Sequence, residues 1–143
     1  MRYIFAICGS LVALAGWLFV SYGTARTSIQ VMDAWVRVTT GSSAVVHAII
    51  ANRGVNKDRL VRLSSGLAKK LVVLDNEGHE IDGLRIPADS ELVLGSDLLR
   101  IEAFGLAQAV NAGESFPMLF VFEHAGKVAV FARVEKLQSV GKQ

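Results

Sequence analysis

The chain reads as all-β, an antiparallel β-sandwich of Greek-key type preceded by one N-terminal transmembrane helix. Three observations carry that reading. About nine short β-rich runs recur at regular spacing with turn residues between them, and nothing after the N-terminal segment has the apolar period of an amphipathic helix. The run from Tyr3 to Val20 contains no charged residue.

That run is the first element. At about 1.5 Å per residue it nearly crosses a hydrocarbon core of about 30 Å. It is longer than the roughly 7–15 residues of a signal-peptide core, and its bulky Trp17-Leu18-Phe19 end lies at the level of an aromatic interface belt, with Tyr3 at the other end. Residues 1–22 are therefore expected to form a single-pass anchor, with the short positive end at Arg2 inside and everything after Tyr22 exported. Gly23-Thr24-Ala25 has the small residues a signal peptidase accepts, so cleavage and secretion stay open as the alternative. Residues 23–28 form a polar linker.

A β-domain is expected over 29–137. Ile29–Val31 and Ala34–Val38 come first, and Thr39-Thr40-Gly41-Ser42 turns the chain into Ser43–Asn52. That run is apolar on both faces, with Val46, Ala48 and Ile50 on one and Val45 and Ile49 on the other, so it reads as a central strand. Asn52-Arg53-Gly54-Val55-Asn56 is a turn, Arg59–Ser64 a strand, and Lys70–Asp75 and His79–Arg85 a hairpin about Asn76-Glu77-Gly78. Pro87 removes a ladder donor and marks an edge or break. Glu91–Leu94, the turn Gly95-Ser96-Asp97 and the strand Leu98–Phe104 follow. After a loop from Ala107 to Glu114, Ser115–Glu123 and Lys127–Glu135 form a hairpin about His124-Ala125-Gly126. Residues 138–143 read as a frayed tail.

Composition excludes several classes. Setting Arg2 aside from the 15 basic residues, the exported part has 13 acidic ones and a net charge of about +1, without the concentrated basic surface that nucleic acid requires. The sole cysteine, Cys8, lies in the apolar run, so the domain has no internal disulfide and is held by its core. There is no Gly-x-Ser-x-Gly, phosphate loop, His-Glu-x-x-His or Cys-x-x-Cys. No catalytic residue is expected, and the protein is not read as an enzyme.

The histidines are the first candidates for a metal. His47 lies in the most apolar strand, where a histidine is more often a hydrogen-bonded core residue than a ligand. His79 and His124 fall in turns, and no two of the three are at a metal-binding spacing. Asp75, Glu77, Glu80 and Asp82 crowd one hairpin but lack the spacing and glycine of the calcium loop, which favours a solvated turn. In Leu98–Phe104, alternation sends Leu99, Ile101 and Ala103 to the core and Arg100, Glu102 and Phe104 outward, leaving a cation and an anion two residues apart.

Several segments occur in the order seen in one family. They are Ile29-Gln30-Val31-Met32-Asp33-Ala34-Trp35-Val36-Arg37, Asn52-Arg53-Gly54, Asp58-Arg59-Leu60-Val61, Ile86-Pro87-Ala88, Gly105-Leu106 and Phe122-Glu123-His124-Ala125-Gly126-Lys127-Val128. Together they resemble the periplasmic copper chaperones called PCuAC, over nearly all of Ile29 to Val134. The resemblance implies a cupredoxin-like fold, a bacterial periplasmic setting, and delivery of Cu(I) to oxidase assembly through a His…Met…His-x-Met site. Aligned on Gly105-Leu106, that His-x-Met falls on Arg100-Ile101-Glu102, and the upstream His falls near Leu74. No methionine occurs between Met32 and Met118. A guanidinium has no lone pair to give, and a carboxylate is a hard ligand poorly matched to Cu(I).

The expectation is therefore a domain without the copper ligands and without a cofactor, anchored in the inner membrane with its β-domain in the periplasm. It would serve as an accessory or structural subunit of an integral membrane complex, for which the resemblance suggests a respiratory oxidase or another copper enzyme, through Arg100, Glu102 and Phe104. The alternative is a copper carrier using a substituted ligand set drawn from His47, His79, Met118 and His124.

Overall fold

The computed structural model describes residues 28–107 and 110–135. The anchor expected over 1–22, with Tyr3, Trp17 and Phe19, and the tail over 138–143 lie outside the described residues. Nine strands follow in order: β1 Ile29–Thr40, β2 Ser43–Asn52, β3 Asp58–Ser64, β4 Ala68–Asp75, β5 Leu84–Ile86, β6 Ser90–Leu94, β7 Leu99–Leu106, β8 Ser115–Phe122 and β9 Gly126–Glu135. The described part is all-β.

The period-2 pattern of the sequence decides which face is buried. On β2, Ala44, Val46, Ala48 and Ile50 point inward and are essentially inaccessible. On β8, Phe116, Met118, Phe120 and Phe122 do the same, and with Val36, Ile86, Leu94 and Ile101 they form one apolar core. Hydrogen bonding links all nine strands into one curled sheet in the order β4-β7-β2-β1-β9-β8-β3-β5, with β6 paired to β2 off that path.

Three details depart from the sequence reading. The pairing is not wholly antiparallel, because β9 runs parallel to β1, with Trp35 opposite Arg133 and Arg37 opposite Glu135. The two short runs expected at 29–31 and 34–38 are one strand interrupted by a β-bulge between Met32 and Trp35, where Asp33 takes φ 51°. The return arm of the hairpin about Asn76-Glu77-Gly78 is short, since Glu80 bridges Leu74 but Leu84–Ile86 leaves β4 and pairs with β3.

One end of the barrel gathers several connections. The Ser28 carbonyl accepts the Arg53 N–H at 2.8 Å, and the Asp89 N–H donates to the Gly54 carbonyl at 3.1 Å. Asn52, fully buried, uses its whole amide: Nδ2 donates to the carbonyls of Asn56 (2.9 Å) and Pro87 (3.1 Å), and Oδ1 accepts the Gly54 N–H at 3.0 Å. The β1–β2 turn at Gly41 closes the opposite end of these two strands.

Because the core is continuous, truncating its centre leaves a void that the sheet cannot close. Phe120→Ala is expected to cost about 3–5 kcal/mol. An unchanged denaturant midpoint would contradict the central place given to this ring.

Candidate functional site

β7 positions the residues singled out from sequence. Its inward side chains Ile101 and Ala103 are fully buried, while Arg100 and Glu102 face outward half-buried and Phe104 is 39% exposed. Arg100 Nε donates to Glu102 Oε1 at 3.1 Å. Across β4 the pair faces Leu74 and Val72, which are buried although they lie on the outward face. The tip of Arg100 reaches the Asn76–Gly78 turn, where a Cβ on Gly78 would stand 3.9 Å from its Nη2.

The same face extends across five strands. One row reads Glu135, Arg37, Val45, Glu102, Val72, each paired with the next. Beside it Trp35 lies opposite His47, and the two rings stack with centroids 4.8 Å apart and planes 2° from parallel. The Arg37 guanidinium caps the Trp35 ring at 4.9 Å. His47 Nδ1–H donates to the Asp33 carbonyl, which the bulge turns toward it. The sequence reading missed this ladder. Its signal was the outward alternation of Trp35 and Arg37, which becomes legible only once the bulge at Asp33 is placed.

The other histidines stand apart from it. His79 sits in the β4 turn, its ring 3.6 Å from Asp75 and 3.4 Å from Glu77. The Asp75 carboxylate is engaged by the turn itself, with Oδ1 accepting the N–H groups of Glu77 (2.9 Å) and His79 (2.8 Å). Those bonds, the one from His79 foremost, hold its pKa below the ordinary value. Met118 points into the core from β8, and His124 lies in the exposed β8–β9 turn. The four residues of the alternative ligand set thus occupy four separate places. Among the described residues, no group of three or more histidine, cysteine or carboxylate side chains could hold a metal ion.

The β8–β9 turn is fastened by Asp58. Its Oδ1 accepts the N–H of Arg59 at 2.7 Å and of His124 at 2.9 Å, and its Oδ2 accepts that of Ala125 at 2.9 Å. Two of the motifs quoted above, Asp58-Arg59-Leu60-Val61 and the stretch around His124-Ala125-Gly126, meet in these bonds.

A family model described as "Putative lipoprotein LpqE-like" matches residues 29–134. The chain belongs to the LpqE-like family. No curated protein matches it. Among solved structures, this LpqE-like chain is similar to the copper-bound PCuAC domain from PmoF2, with 21% identity, a TM-score of 0.70, and coverage of 77% of this chain and 94% of that one. The apo PCuAC domain from PmoF1 gives 22%, 0.71, 77% and 95%. The Cu(I) form of DR1885 from Deinococcus radiodurans gives 20%, 0.67, 79% and 82%. The LpqE-like domain thus has the PCuAC fold that the sequence resemblance implied.

Burial pushes the Asp58 pKa up, but the backbone N–H groups of His124, Arg59 and Ala125 together outweigh it and hold the carboxyl below its ordinary value. A pKa lowered on folding stabilises the native state above the unfolded-state value of about 3.9, and that contribution is lost as pH falls through the folded value. Asp58→Asn is expected to lower stability by about 2 kcal/mol at neutral pH. In denaturation curves the gap between variant and wild type should close as pH falls below about 4. A gap that persists at low pH would contradict this role.

Proposed function

We propose that this LpqE-like protein is a membrane-tethered domain that serves as an accessory subunit of a membrane complex, meeting its partner through the outward face of β7 instead of carrying copper. The observation that carries the reading is the Arg100–Glu102 pair, standing where the family resemblance puts an imidazole and a thioether. An arginine in a charge-assisted hydrogen bond offers no electron pair to Cu(I), and the carboxylate beside it is a hard donor. Copper would here be cargo, and neither Arg100 nor Glu102 is a donor that suits it.

Other features favour a contact surface. The face combines arginine, an accessible phenylalanine and the Trp35–His47 stack, residue types enriched where proteins meet. The charge-free run from Tyr3 to Val20 supports tethering, and a bilayer span would hold the domain at high effective concentration beside a fixed neighbour. The family's description as lipoproteins is compatible with attachment to a membrane by another chemistry. A periplasmic setting and a respiratory or copper-containing enzyme as partner are the classes suggested by resemblance.

The expected outcome is that the full chain, extracted in mild detergent, co-purifies with a membrane complex, and that the double variant Arg100→Ala, Glu102→Ala loses it. As the pair is partly exposed, its loss should cost no more than about 1 kcal/mol of stability. In a chelator-competition titration the wild type should take up no stoichiometric Cu(I). One tightly held equivalent, abolished by His79→Ala or Met118→Leu, would overturn the reading in favour of a copper carrier with substituted ligands. Recovery of a lone monomer would count against it as well.

A further inference from the structure

We propose that the end of the barrel where β1 begins is a membrane-docking surface for anionic phospholipid headgroups, with Val55 as its apolar tip and Lys57, Arg59, Arg85 and Lys127 as its cationic contacts. The inference rests on the tether proposed above and extends it to a surface of the folded domain.

The chain's entry point fixes which end would face a bilayer. Ser28 is hydrogen-bonded to Arg53, and a Cβ on Gly54 would stand 2.7 Å from that of Ser28, so the segment preceding β1 meets the domain beside the 53–57 turn. The polar joint Ser21 to Ser28 spans at most about 28 Å when fully extended and about 16 Å as a flexible coil. A span over residues 3–20 would therefore keep this end, and not the Gly41 end, within reach of the headgroups.

The side chains there suit such a surface. Val55, at the tip of the turn, is 91% exposed and flanked by Arg53 and Lys57. An isolated exposed valine is ordinary on a protein surface; one between two cations at the tether end has the pattern of an interfacial loop. Arg59 and Arg85 are directly opposite on β3 and β5, like charges of which Arg59 has Glu123 at 4.0 Å and Arg85 has no carboxylate within that distance among the described residues. They line a cleft of about 240 Å³ with Lys57, Asp58, Glu123 and His124.

The acids at this end are largely engaged. Asp58 is held by backbone N–H groups, Glu91 pairs with Arg53 at 3.0 Å, and Glu123 lies 4.0 Å from Arg59 and 3.6 Å from His124. Asp89 is exposed and has no cation within 4.0 Å, and Lys57, Arg85 and Lys127 have no carboxylate within that distance, among the described residues.

The test uses the full chain with Cys8→Ser, carrying a polarity-sensitive fluorophore on Val55→Cys or, as a control at the far end, on Asn111→Cys. Each is reconstituted into phosphatidylcholine vesicles with and without phosphatidylglycerol. The expected result is a blue-shifted emission at position 55 in phosphatidylglycerol vesicles alone, with none at position 111. The shift should be lost at about 1 M salt, where the Debye length is about 3 Å. Each charge removed weakens docking about fivefold, so Lys57→Gln with Arg85→Gln should weaken it about 25-fold. If the protein is retained by neutral vesicles but position 55 stays aqueous in both compositions, the docking surface is wrong and the tether stands. If neutral vesicles do not retain the chain, the tether falls and this inference with it. Saturation of the Arg59 and Arg85 amide shifts by inorganic phosphate, without response to vesicles, would make the cleft a site for soluble anions and also overturn the proposal.

Discussion

The arrangement of this domain depends on β2 having to satisfy three neighbouring strands at once. One edge pairs with β1 along its length, while the other pairs with β7 from Ser43 to Val46 and with β6 from Ala48 to Asn52. With both edges occupied and one face in the core, a slip of one residue would turn Val45 and His47 inward and expose Val46 and Ala48. His47 stands where β2 exchanges one partner for the other. The β6–β7 turn passes so close that a Cβ on Gly95 would lie 2.6 Å from the His47 ring, and Gly95 adopts φ 121°. Glycine is what the close approach requires there. The turn in turn sets where β7 begins, and with it the position of Arg100 and Glu102.

The outward face of that sheet has a different economy from the inward one. A partly exposed ion pair contributes little to stability, whereas the inward residues of β2, β7 and β8 are closed to solvent and sensitive to single methylene groups. Outward residues can therefore change chemistry without disturbing the barrel. A TM-score near 0.7 at about one-fifth identity is what such a division would leave behind: a kept scaffold whose exposed side chains must be read for themselves.

How far the sequence revealed this depends on the range of the interaction responsible. β2 was legible to the residue, Ser43–Asn52, because its alternation is local. The parallel contact of β1 with β9 was not, since residues about a hundred positions apart share no local pattern. Nor was the bulge at Asp33, an unusual place for a residue with a Cβ to take positive φ. At the candidate site, the outward pairing of Arg100 with Glu102 followed from period 2 alone, while the stack of Trp35 on His47 needed both the bulge and the register. The motifs around Asn52, Asp58 and His124 could be matched but not explained from sequence. Their cause is long-range: one amide and one carboxylate fastening loops that lie far apart along the chain.

The placement of the two proposed surfaces bears on whether they could act together. The face bearing Arg100, Glu102 and Phe104 is a side wall of the barrel, because the side chains of a strand project across its axis. The basic end lies along that axis, where β1 starts. A domain resting on headgroups by its end would hold its side wall upright on the bilayer, facing along the membrane plane toward a neighbour embedded in the same membrane. A carrier exchanging a metal ion with successive partners gains from free rotation. A subunit that must meet one neighbour in one orientation gains from losing it, since orientational freedom given up to the membrane need not be given up again on association.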